Sequence, residues 1–236
     1  MNRARGAALV LALWALALLS LMMAVVVGTL RLENRQSAYT LQHTRALLAA
    51  ESGLAVVVQD LSSKTPGMIA DGRLYRLTIE EAQVSVELHG ERGKLDLNQV
   101  SVEDFTRVVR YLGASPDQGR RLARELLARR NGGTPIRSLE ELQLLAAMDR
   151  RLYAQLAPNL TLWTGLAQPD PSLATEPLRT ALKLASPVLA GTAGPIYSAR
   201  IQAAVTATTS ATLNVTFLLN PQAEGTQRYR VLRWQE

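Results

Sequence analysis

Apolar and polar positions divide the chain into distinct stretches. The first is an uncharged run over residues 7–30, preceded by Met1-Asn-Arg-Ala-Arg-Gly6. As a helix rising about 1.5 Å per residue, its roughly 24 residues reach about 36 Å, enough to cross a hydrocarbon core of about 30 Å. Arg3 and Arg5 keep the amino end on the cytoplasmic side and send the remainder across, against the weaker opposing bias of Arg31 and Arg35. A secretory signal peptide competes with this anchor. Its apolar region usually covers about 7–15 residues and ends at a small-x-small cleavage site, whereas this run continues through Val25-Val26-Val27.

After Leu30 the pattern turns amphipathic, with Leu47, Ala50, Leu54, Val57, Val58 and Leu61 recurring at three- and four-residue steps. No proline falls between residues 7 and 65. The pattern predicts one long helix, half in lipid and half packed on a soluble domain, ending near Ser62-Ser63 before Pro66-Gly67. Alternation then predicts strands over residues 73–79 and 83–89, the second placing Val84, Val86 and Leu88 on one face.

Four capped helices follow. Ser101 with Asp104 opens one that buries Phe105, Val108, Val109 and Leu112. Ser115, Pro116 and Gln118 open the next, which carries Leu122, Leu126 and Leu127 and stops at Gly132-Gly133. Ser138 with Glu141 opens a third over Leu142 and Leu145, and Asp149 a fourth over Leu152, Tyr153 and Leu156. Residues 163–195 are punctuated by Pro169, Pro171, Pro177, Pro187 and Pro195 and read mostly as loop, with a short helix near residues 178–184. Strand patterns return over residues 196–207, 212–219 and 228–234.

The expected organisation is α+β: a long amino-terminal helix packed on an antiparallel sheet that an all-helical insert interrupts. Its boundaries are a leader (1–6), a membrane helix (7–30), its amphipathic continuation (31–63), first strands (64–94), helical insert (95–162), proline-rich connection (163–195) and last strands (196–236).

Composition narrows the chemistry. The chain of 236 residues carries 26 Lys plus Arg against 20 Asp plus Glu, a net +6, and is 47% apolar, which excludes a disordered polyelectrolyte. Without cysteine there are no disulfides, zinc ribbons or thiol nucleophiles. Only His43 and His89 are available for triad or metal chemistry; the first lies alone on the long helix and the second at a strand end. No Gly-x-Ser-x-Gly elbow, phosphate loop or His-Glu-x-x-His occurs. Asp60, Asp71, Glu80, Glu81 and Glu87 fall at surface-like positions, so no enzyme is expected.

A short basic leader ending in Gly6, an apolar helix starting at Ala7 and an amphipathic continuation resemble the class III leader of type IV pilins and type II secretion pseudopilins. The resemblance implies cleavage between Gly6 and Ala7 by a prepilin peptidase, followed by N-methylation of Ala7. Most members of these families carry a glutamate where this chain has Leu11. The run from Arg5 through Trp14 to Ser20 instead resembles the K-type minor pseudopilins, whose members typically lack that acid. A buried glutamate is costly in a bilayer unless a partner meets it, and a tip subunit has no neighbour ahead to supply one. Leu11 and Trp14 are thereby implied as helix-assembly positions.

The resemblance extends through Gly93-Lys-Leu-Asp-Leu-Asn98, Ser138-Leu-Glu-Glu-Leu and Leu152-Tyr-Ala-Gln-Leu-Ala-Pro-Asn-Leu-Thr161. It implies a pilin-like fold in a structural tip subunit held in the inner membrane by one span, with its head in the periplasm. The implied partners are the I-type and J-type minor pseudopilins, the prepilin peptidase, the inner-membrane secretion platform and, before assembly, membrane lipid. No cofactor is implied. Longer members carry an acidic and aromatic stretch where this chain retains only Asn131-Gly-Gly-Thr-Pro-Ile-Arg137, and no Asp-x-Asp-x-Asp-Gly cluster offers calcium its oxygens, so no metal ligand carries over.

A second reading takes the paired short helices as a membrane-anchored helix-hairpin-helix DNA-binding module of the competence or type IV pilus class, suited to a pI near 10.0. Such modules hold phosphate on a Gly-x-Gly hairpin at a helix amino end. The turns here read Leu112-Gly-Ala-Ser-Pro116 and Ala146-Ala-Met-Asp149, so nucleic acid is not the expected partner.

Overall fold

The computed structural model describes residues 3–185, 192–206, 208–220 and 228–236, with the side chains of residues 3–13, 15, 17 and 24–26 outside that description. Helix α1 (Arg3–Leu61) runs unbroken for 59 residues. It starts before Ala7, where the apolar pattern begins, and its end is held by the Ser62 N–H donating to the Val58 carbonyl at 3.0 Å. Asp60 then stops the chain from continuing outward, accepting from the N–H groups of Gly67 at 3.1 Å and Met68 at 2.8 Å. Among the described residues, no helix is long and apolar enough to cross a membrane. The apolar run over residues 7–30 includes side chains that lie outside the description.

Strands β1 (Asp71–Ile79), β2 (Ala82–Gly90), β5 (Ile196–Ala204), β6 (Ser210–Leu219) and β7 (Tyr229–Gln235) form a five-stranded sheet in the order β1-β2-β5-β6-β7. Every pairing is antiparallel. Period-two alternation sends Val84, Val86 and Leu88 of β2 to one face, where they pack with Ile201, Leu213, Val215 and Phe217 against Ala50, Leu54, Val57 and Val58 of α1. Small residues bring helix and sheet together. A Cβ on Gly53 would stand 3.1 Å from both Ile201 and Val84, tighter than an unaltered core allows. The opposite face of the same strands is polar.

The insert leaves the sheet after Gly90 and returns at Ile196, although β2 and β5 are direct neighbours with Gly90 opposite Tyr197. The excursion holds β3 (Leu95–Asp96), α2 (Val102–Tyr111), α3 (Pro116–Asn131), α4 (Arg150–Leu156), β4 (Leu160–Thr161) and α5 (Glu176–Leu182). It has a core of its own, with Phe105, Leu122, Leu142, Leu156 and Leu178 all at or near zero exposure. The caps follow the residues that encode them. Ser101 Oγ accepts from the Asp104 N–H at 3.0 Å, Ser115 Oγ from the Gln118 N–H at 3.2 Å, and Asp149 Oδ1 from the Leu152 N–H at 2.8 Å.

Several elements differ from the pattern. The segment after Ser138 is a 3-10 helix over Leu139–Leu144 and not an α-helix, six residues being too short a run before Leu145 returns to extended backbone. Glu141 still accepts from the Ser138 N–H, at 3.2 Å. Strand β5 stops at Ala204, because the next residues turn, with the Val205 N–H donating to the Thr209 carbonyl at 3.2 Å. Helix α5 contributes Leu178 and Leu182 to the insert's core, so the proline-rich segment is partly structural.

Candidate functional site

The neck of the insert is built from the residues Gly93-Lys-Leu-Asp-Leu-Asn98. Gly93 allows close passage of the chain, since a Cβ there would fall on the Leu173 carbonyl oxygen. Strands β3 and β4 pair in parallel, Leu95 with Leu160 and Asp96 with Thr161, and so close the base of the insert. Asp96 is 1% exposed. Its Oδ1 accepts from the Asn98 N–H at 2.9 Å, while Oδ2 accepts from the N–H groups of Thr164 at 3.1 Å and Gly165 at 2.9 Å and from Thr164 Oγ1 at 3.2 Å. Asn98 grips Ile136 on both sides, accepting its N–H at 3.0 Å and donating to its carbonyl at 2.9 Å. The Arg130 guanidinium donates to the carbonyls of Val100, at 2.6 Å, and Leu97. Burial lowers its affinity for the proton and Asp96 opposes that shift. These polar groups hold loop backbone in place; their chemistry is structural.

Between the insert and the polar sheet face lies a cleft of about 430 Å³. Glu87, His89, Ser198, Arg200 and Asn214 line its floor, and Glu140, Tyr153 and Trp163 line the insert side. His89 Nε2 stands 2.9 Å from Glu87 Oε1. Across the cleft, Glu140 Oε1 accepts from Arg233 at 2.6 Å and from Gln235 Nε2 at 2.9 Å, tying the insert to the last strand. Burial pushes the Glu140 carboxyl up, but its backbone hydrogen bond and the Arg233 contact outweigh that and hold it below the usual range. Near the neck Lys94 Nζ bridges Glu91, at 2.5 Å, and Ser198 Oγ, at 2.6 Å. Charged groups in the cleft thus largely engage one another. Among the described residues, no group of three or more His, Cys, Asp or Glu side chains could hold a metal ion.

The residues implicated by the resemblance to a prepilin leader lie elsewhere. Gly6, Ala7 and Leu11 fall in the backbone of α1 and their side chains are outside the described set. Trp14 is 71% exposed. Farther along, Leu16, Leu19, Ser20, Met23, Val27 and Gly28 form a shallow apolar groove on the helix surface. Where α1 meets the sheet, Thr209 Oγ1 donates to Gln42 Oε1 at 3.2 Å, and the rings of Tyr39 and His43 stack with centroids 6.1 Å apart. The structure brings none of these α1 positions to the cleft or the neck. Pattern reading missed the roles of Lys94, Glu140 and Arg233, since no local spacing marks the Lys94–Ser198 and Glu140–Arg233 contacts, 104 and 93 positions apart.

Compared with known proteins, the sequence matches no family model and no curated protein. Its fold matches a chain of "The Crystal Structure of the GspK-GspI-GspJ complex from enterotoxigenic Escherichia coli Type 2 Secretion System", with a TM-score of 0.62 at 15% identity, over 85% of this chain and 98% of that one. The chain therefore has a GspK-like minor pseudopilin fold.

Proposed function

We propose that this protein is a minor pseudopilin of a type II secretion system, of the K type, acting as a structural subunit at the tip of a periplasmic pseudopilus. The observation that carries the reading is the shared architecture: a long amino-terminal helix on an antiparallel sheet whose second and third neighbouring strands are separated in sequence by a helical insert, aligned over 98% of the secretion-complex chain. The leader residues supply the second support.

In this reading residues 7–30 hold the subunit in the inner membrane by a single span, and the head lies in the periplasm. The prepilin peptidase cuts between Gly6 and Ala7, and Ala7 becomes the methylated amino terminus. The helix surface around Trp14 and the groove by Gly28 exchange lipid for neighbouring helices on assembly, and Leu11 needs no charged neighbour ahead of it. The immediate partners are the I-type and J-type minor pseudopilins, delivered through the inner-membrane secretion platform. The work is mechanical: the subunit starts a short piston that supports export of folded proteins across the outer membrane. No step of it calls for catalysis, a cofactor or nucleic acid.

Co-expression with I-type and J-type minor pseudopilins, followed by detergent extraction and size exclusion, tests the assignment. A ternary complex retained through the column is expected. A chain that elutes alone at concentrations where the other two associate contradicts it.

A further inference from the structure

The insert has a strongly charged outer surface. Every cation over residues 95–162 is arginine, none lysine. Helix α3 buries Gly119, Leu122, Ala123 and Leu126, which turns Arg121 and Arg124 outward. Gln118 Nε2 reaches the Ala147 carbonyl at 2.9 Å and Asp149 at 3.0 Å, so the start of α4, with exposed Arg150 and Arg151, stands beside the start of α3. Arg110 lies against Gly119 on the neighbouring helix. Among the described residues, Arg110, Arg121, Arg124 and Arg150 form no salt bridge, whereas Arg107 and Arg120 are neutralised by Asp104 and Asp117.

Apolar side chains stand among these charges. Leu144 is 73% exposed, the most of any large hydrophobic among the described residues, and Leu127 is 38% exposed on α3. The Ala146 N–H donating to Glu125 Oε2 at 3.1 Å sets the Leu144 segment against α3. The location is equally specific. The β5–β6 turn sits beside Gln42 on α1, and the insert springs from the other end of those strands, so it is rooted at the end of the sheet remote from the amino-terminal half of α1.

We propose that the arginine face of the insert docks on an anionic phospholipid bilayer, opposite the end of the molecule anchored by α1; the proposal rests on the anchor reading above for that opposition. Guanidinium groups are weakly hydrated and pair with phosphate in a bidentate way, each adding attraction to an anionic surface, and one or two leucines suffice to enter the headgroup boundary. A stable protein interface would require a contiguous apolar centre, and here the exposed leucines are single side chains separated by charge. A nucleic acid backbone would use the arginines and gain nothing from Leu144.

The test uses the full chain reconstituted through α1 into POPC liposomes, with labelled acceptor vesicles of POPC alone or POPC with about 25% POPG. Retention of the chain on the donor liposomes reads the anchor separately. Capture of POPG vesicles but not of POPC vesicles is expected, reduced roughly tenfold or more in Arg121→Glu/Arg124→Glu, and in Arg150→Glu/Arg151→Glu as a second variant. Leu144→Asp, which leaves the arginines intact, is expected to reduce capture about threefold or more. No POPG-dependent capture overturns the proposal, as does capture indifferent to Leu144→Asp and abolished by duplex DNA. A chain that leaves the donor liposomes contradicts the anchor, and its own sedimentation with POPG vesicles then reads docking directly.

Discussion

Lys94 Nζ donates to Ser198 Oγ at 2.6 Å, joining the neck of the helical insert to strand β5 across 104 positions of chain. The same ammonium lies 2.5 Å from Glu91, whose side chain is 1% exposed. Glu91 Oε2 makes no hydrogen bond among the described residues, so Lys94 is its principal compensation. One lysine thus aligns insert and sheet and stabilises a buried charge.

Lys94→Met is expected to destabilise the head by about 3 kcal/mol, because it strands a buried carboxylate. The double variant Lys94→Met/Glu91→Gln removes the stranded charge and recovers much of the loss. Urea denaturation of the three proteins checks this. Equal destabilisation in the single and double variants would mean that the pair is not electrostatically coupled.

Asp96→Ala removes the acceptor for the N–H groups of Thr164 and Gly165 and for the Asn98 N–H. A loss of about 3 kcal/mol is expected, at the upper end for unsatisfied buried donors because the acceptor is charged. Hydrogen exchange should show the segment after β4 losing protection first. Unchanged exchange there would contradict the role assigned to Asp96.

Much of the insert was legible because its signals are local. A cap needs its residue and a donor within one turn, so Ser101, Ser115 and Asp149 marked helix starts that the structure places there. Strand alternation in β2 was equally plain. Contacts formed over long separations were not legible: the parallel pair β3 and β4, the Glu140 tie to β7, and the hold of Arg130 on two loop carbonyls. The short helix expected near residues 178–184 is α5 (Glu176–Leu182), but that Leu178 and Leu182 join the insert's core was not legible from the segment alone. The proposed leader is the reverse case, since the reading of Gly6 and Ala7 rests on sequence order and not on packing.

The two cores give a prediction of additivity. Phe105 belongs to the insert and Phe217 to the sheet, and both are fully buried. Each Phe→Ala change is expected to cost about 3–5 kcal/mol. The double variant should match their sum within about 0.5 kcal/mol, since the sites share no partners. A larger discrepancy in chemical denaturation would show that the cores are mechanically coupled.

Acid should loosen the contact between insert and β7. The folded pKa of Glu140 is held below its ordinary 4.5. Its contribution is therefore complete above about pH 4.5 and is lost as pH falls through the lower folded value. Glu140→Gln is expected to be less stable than the parent at neutral pH, with the difference shrinking under acid. A difference independent of pH would contradict a role for the carboxylate charge.

Intact-mass and fragmentation analysis of the protein from cells that express a prepilin peptidase tests the central claim most directly. The account predicts a mature chain beginning at Ala7 with one added methyl group on its amino nitrogen, and an unprocessed chain when the peptidase is absent. A chain that retains residues 1–6 while secretion proceeds, or one cut at another position, would contradict it.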